Sequence, residues 1–291
     1  MRLCFDATRF GSGLLEAVQL AADKKLSACE FAFDKFDEQA KGAWQLGADE
    51  KDYLHSVLET AKQNDVEIAC LKLRLLLKVS DKKSVKEFKS SLDKLAKVAA
   101  ALDCKKILFY MAAEPQDGWL LQAEEALLPI VAAMKKKGIG LLLSLATPES
   151  FQGKSLRVWR PIEPQEWRDL LAGIPDLELS FSVADCAWQG IDYLRIISGL
   201  SKAIGHVEAQ DVQLNRQIIS ENGVFGPLYW QYMTVGKGQV DWAQFIEALK
   251  LYEYDGCLSI QFNDDFASGD DQGLADALDG SIKVLAPLVK Y

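Results

Sequence analysis

Histidine and long apolar runs are the first things that this sequence has little of. Only two histidines, His55 and His206, occur among 291 residues, which argues against a metal centre built mainly from imidazole ligands. No run approaches eighteen apolar residues, and the opening "MRLCFDATRF" has no long apolar core. The sequence therefore predicts no membrane span and no signal peptide, and a cytoplasmic protein is expected.

The sequence also has fewer basic residues than acidic residues. The chain has 33 Lys and Arg against 42 Asp and Glu, a formal net charge of -9. Binding to a nucleic acid requires a clustered basic face, so we expect no nucleic-acid partner. A local basic pocket remains compatible with this balance.

Cysteine spacing gives no sign of a metal site or of a disulfide framework. The six cysteines are spread along the chain without CxxC spacing, and most fall inside apolar runs. Such residues are typically buried, reduced thiols. We therefore expect neither disulfide bonds nor zinc knuckles.

What the sequence does contain is a regular alternation of apolar runs and amphipathic stretches. Eight strand-length runs lie at 2–7, 27–33, 67–73, 106–112, 140–146, 177–184, 205–211 and 257–262. Helical patterns fall near 12–23, 50–64, 84–103, 121–137, 163–172, 188–200, 241–254 and 273–289. Eight of each predict a (β/α)8 TIM barrel, and without a linker-like segment we expect a single domain over 1–291. The pieces 40–48 and 212–239 are predicted to be loops on this barrel.

In such a barrel the chemistry lies at the C-terminal ends of the strands. A polar group that interrupts an apolar strand there needs a hydrogen-bonding partner or a function. The polar residues at these strand ends are Asp6, Glu30, Lys72, Arg74, Tyr110, Ser144, Ser182, Asp185, Glu208, Asp211, Gln261 and Asp264.

The segment "VGKGQVDWAQFIEALKLYEYDGCLSIQF" carries a more specific signal. Its Gly pair, its Asp-Trp and its "YDG" resemble the C-terminal part of the xylose isomerase-like barrels, the sugar phosphate isomerase and epimerase superfamily. In that family a divalent metal in the barrel mouth is held by Glu, Asp, His and Glu side chains from the fifth to eighth strands. The metal polarises a sugar carbonyl while carboxylates move a proton.

Carried over one position at a time, the family's ligands are all substituted in this chain. The fifth-strand Glu falls on Ser144, and the sixth-strand Asp and His fall on Ser182 and Asp185. The seventh-strand His falls on Glu208, and the last Glu falls on Gln261. His206 lies off the ligand register, and we expect it to point away from the barrel interior.

These substitutions leave three interpretations open. In the first, Asp185 and Glu208 still bind a divalent cation such as Mg²⁺ or Mn²⁺, aided by oxygens of Gln261, Ser144 and Ser182. In the second, Glu208 and Asp185 transfer protons without a metal, because two facing carboxylates repel and one has its pKa raised. In the third, the pocket is kept, the chemistry is lost, and the former ligand positions bond to each other or to a small ligand.

Further substrate contacts are expected from the resemblance and from strand geometry. Glu30 matches a family position near the substrate, the alternative being a bond to a neighbouring strand end. Lys72 and Arg74 are two residues apart and share a face, so if they point inward they pair with Glu30 or hold an anionic substrate.

The loop residues Arg216 and Trp230, with Asp211 before them, fit the gripping and stacking of a sugar. Lys154, Arg157, Trp159 and Arg160 extend this set on the fifth loop. Aromatic loop residues equally fit a protein interface, which leaves a homodimer open.

The sequence thus predicts a divergent relative of the sugar isomerases and epimerases that binds or converts a small sugar, polyol or sugar acid. A non-catalytic sugar-binding or interaction protein on the same barrel is the alternative. A metal-dependent DNA-repair endonuclease is less favoured, because it needs many metal-binding histidines and a basic surface.

Overall fold

A computed structural model describes residues 1–10, 13–33, 50–144, 160–264 and 271–289. The strands are β1 Arg2–Phe5, β2 Ala28–Phe33, β3 Glu67–Lys78, β4 Lys106–Ala112, β5 Gly140–Ser144, β6 Leu177–Ser182, β7 Ile204–Ala209, β8 Asp211–Leu214, β9 Trp230–Met233 and β10 Cys257–Ile260. The α-helices are α1 Leu14–Asp23, α2 Glu50–Gln63, α3 Lys82–Ala101, α4 Trp119–Lys136, α5 Pro164–Gly173, α6 Val183–Trp188, α7 Tyr193–Leu200, α8 Arg216–Asn222, α9 Trp242–Leu251 and α10 Asp271–Val289.

Eight strands form one parallel sheet in the order β1-β10-β7-β6-β5-β4-β3-β2. A parallel bridge between Asp6 and Glu30 brings the two edge strands of this sheet together. The helices lie between successive strands in the chain. The predicted (β/α)8 barrel is confirmed, with β10 as its eighth strand.

Successive side chains of the barrel strands alternate between two environments, the apolar core against the helices and the interior of the barrel. On β7, Val207 and Ala209 pack into the main apolar core between sheet and helices, and β10 does the same with Leu258 and Ile260. Because successive side chains on a strand point to opposite faces, the residues between them point into the barrel. The polar strand-end residues belong mostly to this inward set.

The helices bury the faces that the spacing of their apolar residues predicts. α3 buries Phe88, Leu92, Leu95 and Ala99 against the sheet, and Asp81 caps it by accepting a hydrogen bond from Lys83 N at 2.9 Å. Within the described ranges, none of the helices has the length and apolar content that a membrane span requires.

The segment 212–239 is more ordered than predicted. The strands β8 and β9 pair antiparallel, from Asp211 with Met233 to Leu214 with Trp230, and α8 lies between them. The sequence predicted only a loop on the barrel here, because strands of four residues are too short for their pairing to be recognised from the sequence. The predicted loop 40–48 lies outside the described residues.

Candidate functional site

A buried lysine occupies one side of the barrel mouth. Nζ of Lys72 lies 2.9 Å from Oδ2 of Asp6, 2.6 Å from Oε1 of Glu30 and 2.8 Å from Oε1 of Gln261. These three acceptors use all three N–H donors of an ammonium group. Burial disfavours the charged form, but the carboxylates of Asp6 and Glu30 raise the pKa of Lys72 well above its ordinary value.

Gln261 bridges the lysine to Glu30. Its Oε1 accepts from Lys72, and its Nε2 donates to Oε1 of Glu30 at 2.8 Å and to Oγ of Ser259 at 3.1 Å. The amide therefore acts as acceptor on one side and as donor on the other. A carboxylate at this position has no N–H donor to offer.

The second oxygen of Glu30 faces His206. Nε2 of His206 lies 2.9 Å from Oε2 of Glu30, at ion-pair distance but approaching from outside hydrogen-bond geometry. Burial opposes both charges, yet Lys72 and His206 hold the pKa of Glu30 well below its usual value, and Glu30 in turn raises the pKa of His206. The expectation that His206 points outward was wrong, because it lies two residues before Glu208 and shares its face.

Glu208 lies on β7 and borders the open part of the mouth. Its Oε1 accepts hydrogen bonds from Oγ of Ser180 at 2.6 Å and, at a long 3.4 Å, from Oγ of Ser144. Among the described residues, none donates a hydrogen bond to its Oε2. Glu208 thus keeps one carboxylate oxygen available to a ligand while the other is fixed by serines.

Asp185 bonds to a different set of partners. Its Oδ1 accepts from the Tyr232 hydroxyl at 2.6 Å and from Nε1 of Trp188 at 3.1 Å. Ser182 caps α6 by accepting from Asp185 N at 3.3 Å. Burial raises the pKa of Asp185 to about 6, and the nearby charge of Glu208 adds to that rise. The two carboxylates that the sequence predicts as a pair are each bound by a different set of donors, Tyr232 and Trp188 for Asp185 and two serines for Glu208.

A polar cavity of about 500 Å³ opens at this mouth. Its described lining consists of Asp6, Thr8, Arg9, Ala32, Lys72, Arg74, Tyr110, Glu208, Gln261, Phe262 and Asn263. This volume lies within the range of small-molecule sites. Arg74 and Lys72 both line the cavity, so both point inward. Lys72 pairs with Glu30, which is one of the two roles expected for an inward-pointing basic residue here.

Asp211 serves the fold of the seventh loop. Its two carboxylate oxygens accept from four donors at 2.9–3.0 Å, namely the backbone N–H groups of Val212, Gly236 and Val240 and Nε1 of Trp242. It is fully buried. Its oxygens are saturated by protein donors, so the geometry assigns it an anchoring role instead of a ligand contact.

The same contacts explain the glycine pair of the "GKGQVDW" motif. Gly236 has φ +82°, a left-handed conformation that favours glycine. A side chain at Gly238 would overlap the Asp211 carboxylate. The motif therefore closes the seventh loop around one buried acid.

The remaining loop predictions lie away from the cavity lining. Arg216 is exposed at the start of α8. Trp230 stacks on Trp188 with ring centroids 4.8 Å apart, and Trp188 is the residue whose Nε1 donates to Asp185. Arg160 pairs with Glu166 at 2.8 Å. Lys154, Arg157 and Trp159 lie outside the described residues.

Sequence reasoning missed several members of the site. Asp6 and Tyr110 were recognisable as polar strand-end residues, but they had no counterpart in the family pattern. Arg9 sits after β1, where Nη1 donates to the Phe262 carbonyl at 2.8 Å. Burial raises the pKa of Tyr110, so its phenol stays protonated and is a hydrogen-bond donor on the cavity wall.

Comparison with known proteins identifies the fold family. The model of the xylose isomerase-like TIM barrel family matches residues 18–285. The chain is a member of this family. It also resembles the uncharacterized protein YfiH of Bacillus subtilis (strain 168), with 28% identity over 100 residues that cover 31% of this chain and 32% of that protein.

Solved structures share this barrel over nearly the whole chain. The probable 3-DHS dehydratase AsbF of Bacillus anthracis superposes with a TM-score of 0.73 at 16% identity, covering 98% of this chain and 99% of that one. The zinc-binding IOLI protein gives 0.72 at 13% identity, with 100% of both chains covered. A D-psicose 3-epimerase gives 0.67 at 14%, with 98% and 99% covered. At these identities the likeness shows the fold alone.

The residues at the family's metal positions do not fit a divalent metal in this chain. Gln261 presents its oxygen to the Lys72 ammonium, and a dication beside that group is repelled. Asp185 Oδ1 is held by Tyr232 and Trp188. Within the described ranges, no group of three or more His, Cys, Asp or Glu side chains could hold a metal ion.

Proposed function

We propose that this protein binds a small polyhydroxylated molecule, a sugar, polyol or sugar acid, in the cavity at the barrel mouth, and that it does so without a divalent metal. The observation that carries the proposal is the Lys72 ammonium, fixed by Asp6, Glu30 and Gln261 on the wall of a polar cavity of about 500 Å³. The ammonium lies beside Gln261, the position at which the family resemblance implies a metal-binding Glu. The family membership and neighbours named as sugar epimerases support the choice of ligand class.

The geometry also supports proton transfer within this cavity. Glu208 lines the cavity and Ser180 binds its Oε1, so its carboxylate can take a proton from a carbon next to a carbonyl. Tyr110 can donate a hydrogen bond to the oxygen on which negative charge develops. The same proton returned by Glu208 to the neighbouring carbon gives an isomer, whereas an epimer requires a second acid that protonates the first carbon from its opposite face.

Lys72 contributes to this chemistry through the electrostatic field of its positive charge. All of its donors are engaged, so it offers no free hydrogen bond to a substrate. Its positive charge lies in a poorly solvated wall, where electrostatic interactions are stronger than in water. Asp185 has a supporting role, because its hydrogen bond from Tyr232 joins α6 to β9.

A non-catalytic sugar-binding protein is the second candidate. It is favoured by the bond between Ser144 and Glu208, two former ligand positions that now contact each other at 3.4 Å. In this case the cavity retains recognition, and Glu208 is a hydrogen-bond acceptor for a hydroxyl group.

One experiment tests the proposal and separates the two candidates. EDTA-treated protein is titrated calorimetrically with a panel of sugars, polyols and sugar acids, and each ligand is then incubated in D₂O and examined by NMR. We expect saturable binding of at least one ligand without added metal. Deuterium at a carbon next to the carbonyl in wild type, but not in Glu208→Gln, supports catalysis, whereas binding without exchange supports the second candidate. A panel without any binder contradicts the proposal.

A further inference from the structure

The outward side of α3 is densely basic. Six of the chain's 33 Lys and Arg residues lie on this helix, but only two of its 42 Asp and Glu residues do. Five of these lysines are exposed and form no ion pair within the described part of the chain, namely Lys82, Lys83, Lys86, Lys89 and Lys97. Their spacing keeps them on one side of the helix, opposite the buried residues Phe88, Leu92 and Leu95. We call these five residues the lysine face, which extends over about 22 Å.

One acid interrupts the lysine face, and the neighbouring helix compensates its charge. Asp93 lies about one turn from both Lys89 and Lys97. Its Oδ1 accepts a hydrogen bond at 2.6 Å from Nζ of Lys137, the residue that caps the C-terminus of α4. The five lysines therefore keep their positive charge uncompensated, and the end of α4 lies beside the middle of α3.

The outward side of α4 adds apolar surface next to these lysines. Leu121 is 59% exposed and Leu128 is 41% exposed. The two leucines are seven residues apart, which is about two turns, so they lie on the same side of the helix. The opposite side of α4 packs into the core through Ala123, Leu127, Ile130, Val131 and Met134. Two neighbouring helices thus present a row of cations and a pair of leucines to the solvent.

The composition of this surface does not resemble a protein interface. Such interfaces are enriched in Arg and aromatic residues and depleted in Lys, whereas the lysine face consists of Lys alone. A Lys ammonium is a hydrated point charge on a flexible stem, and it lacks the paired donors with which Arg grips one defined acid. The lysine face therefore fits a broad layer of negative charge better than a single acidic group.

An anionic bilayer and a nucleic acid are both such layers, and the leucines distinguish them. A phosphate backbone offers nothing apolar to Leu121 and Leu128. At a bilayer surface, lysines interact with the anionic headgroups while apolar side chains enter the boundary with the acyl chains. Both components of the surface are used only in the second case.

We propose that α3 and α4 bind the protein reversibly to an anionic lipid bilayer, with the lysine face against the headgroups and with Leu121 and Leu128 at the boundary with the acyl chains. The chain has a formal net charge of -9, so an anionic surface repels most orientations of the molecule and attracts the one that presents α3. None of these residues lines the described mouth cavity. The inference is therefore independent of the proposed function.

The test is sedimentation of the protein with unilamellar vesicles of phosphatidylcholine alone or with about 30 mol% phosphatidylserine. We expect binding only to the anionic vesicles, and weaker binding at high salt. The triple variant Lys82→Gln/Lys86→Gln/Lys89→Gln should bind them roughly 100-fold more weakly. The double variant Leu121→Gln/Leu128→Gln should lose roughly tenfold, because it removes the apolar contribution.

A second triple variant controls for net charge. Lys25→Gln/Lys202→Gln/Lys283→Gln removes three exposed lysines from other parts of the surface, and it should bind the anionic vesicles as wild type does. Unchanged thermal midpoints confirm that the variants are folded. No binding to the anionic vesicles, or an equal loss in the two triple variants, overturns the inference. Tighter binding to a short DNA duplex that is insensitive to the leucine changes also overturns it and assigns the lysine face to nucleic acid.

Discussion

The amide of Gln261 lies between Lys72 and Glu30, accepting from the ammonium at 2.8 Å and donating to the carboxylate at 2.8 Å. Relatives are expected to have a metal-binding Glu at this strand end. A carboxylate here would face Glu30 directly, whereas the amide satisfies both neighbours. The amide of Gln261 therefore satisfies Lys72 and Glu30 together, which a carboxylate at this position does not.

Gln261→Glu should destabilise the protein by about 2 kcal/mol or more. The variant loses the donor to Glu30 and places two carboxylates together in a buried cluster, which raises the pKa of one of them. A group whose folded pKa is raised binds protons more tightly in the folded state, so the loss of stability should grow as pH rises. Urea unfolding at two pH values on either side of neutrality measures it.

Gln213→Glu is the matched control, because Gln213 is exposed on β8. This control should change stability by less than about 0.5 kcal/mol. A Gln261→Glu protein as stable as wild type that also binds Mn²⁺ stoichiometrically would show that the Glu at this position still supports a metal site.

Lys72→Met should cost about 3–5 kcal/mol of unfolding free energy, because it leaves Glu30 and Asp6 without their countercharge in a buried site. Adding Glu30→Gln should recover part of this loss, since the second change removes one uncompensated charge. A double-mutant cycle by urea denaturation measures the coupling between the two residues. Additive effects would mean that the contact at 2.6 Å carries no interaction energy.

The barrel itself could be predicted from the sequence because its signals are local. Continuous apolar runs such as "KILFYMA" mark strands covered on both faces, and this run coincides with β4. The strands β8 and β9 escaped prediction because they have four residues each, and their pairing is visible only once the loop folds back.

The site was predictable as a set of positions and not as a network of contacts. Strand-end spacing indicated Glu30, Lys72 and Gln261, but their mutual bonds depend on how three strands align around the barrel. His206 was expected to point outward, but it lies two residues before Glu208 and therefore shares the inward face of β7. Arg9 carried no signal, because it lies in a short helical turn after β1.

Stability should depend on pH through His206. Its pKa is raised from the ordinary 6.5 by Glu30 despite burial, so its contribution is fully present below pH 6.5 and is lost as pH rises through the folded-state pKa. His206→Gln should flatten this part of the stability profile. His55→Gln, on the exposed face of α2, should retain the wild-type profile. An identical slope in the wild type and His206→Gln would contradict the Glu30–His206 ion pair.

Asp211→Asn should destabilise the protein by about 3 kcal/mol, because the new amide N–H group faces donors such as Gly236 N and Trp242 Nε1. Limited proteolysis should cut the segment 212–239 faster in this variant. Asp241→Asn is the matched control, since Asn also caps a helix and α9 should keep its start. Equal stability of the two variants would argue against the anchoring role of Asp211.

The most direct test of the account is calorimetric titration of sugars, polyols and their acids into EDTA-treated protein, repeated after addition of Mg²⁺ or Mn²⁺. The Lys72 cluster predicts a single saturable site whose affinity is the same with and without the metal. Binding that develops only after a divalent cation is added would contradict the claim that an internal ammonium has replaced the metal in this barrel.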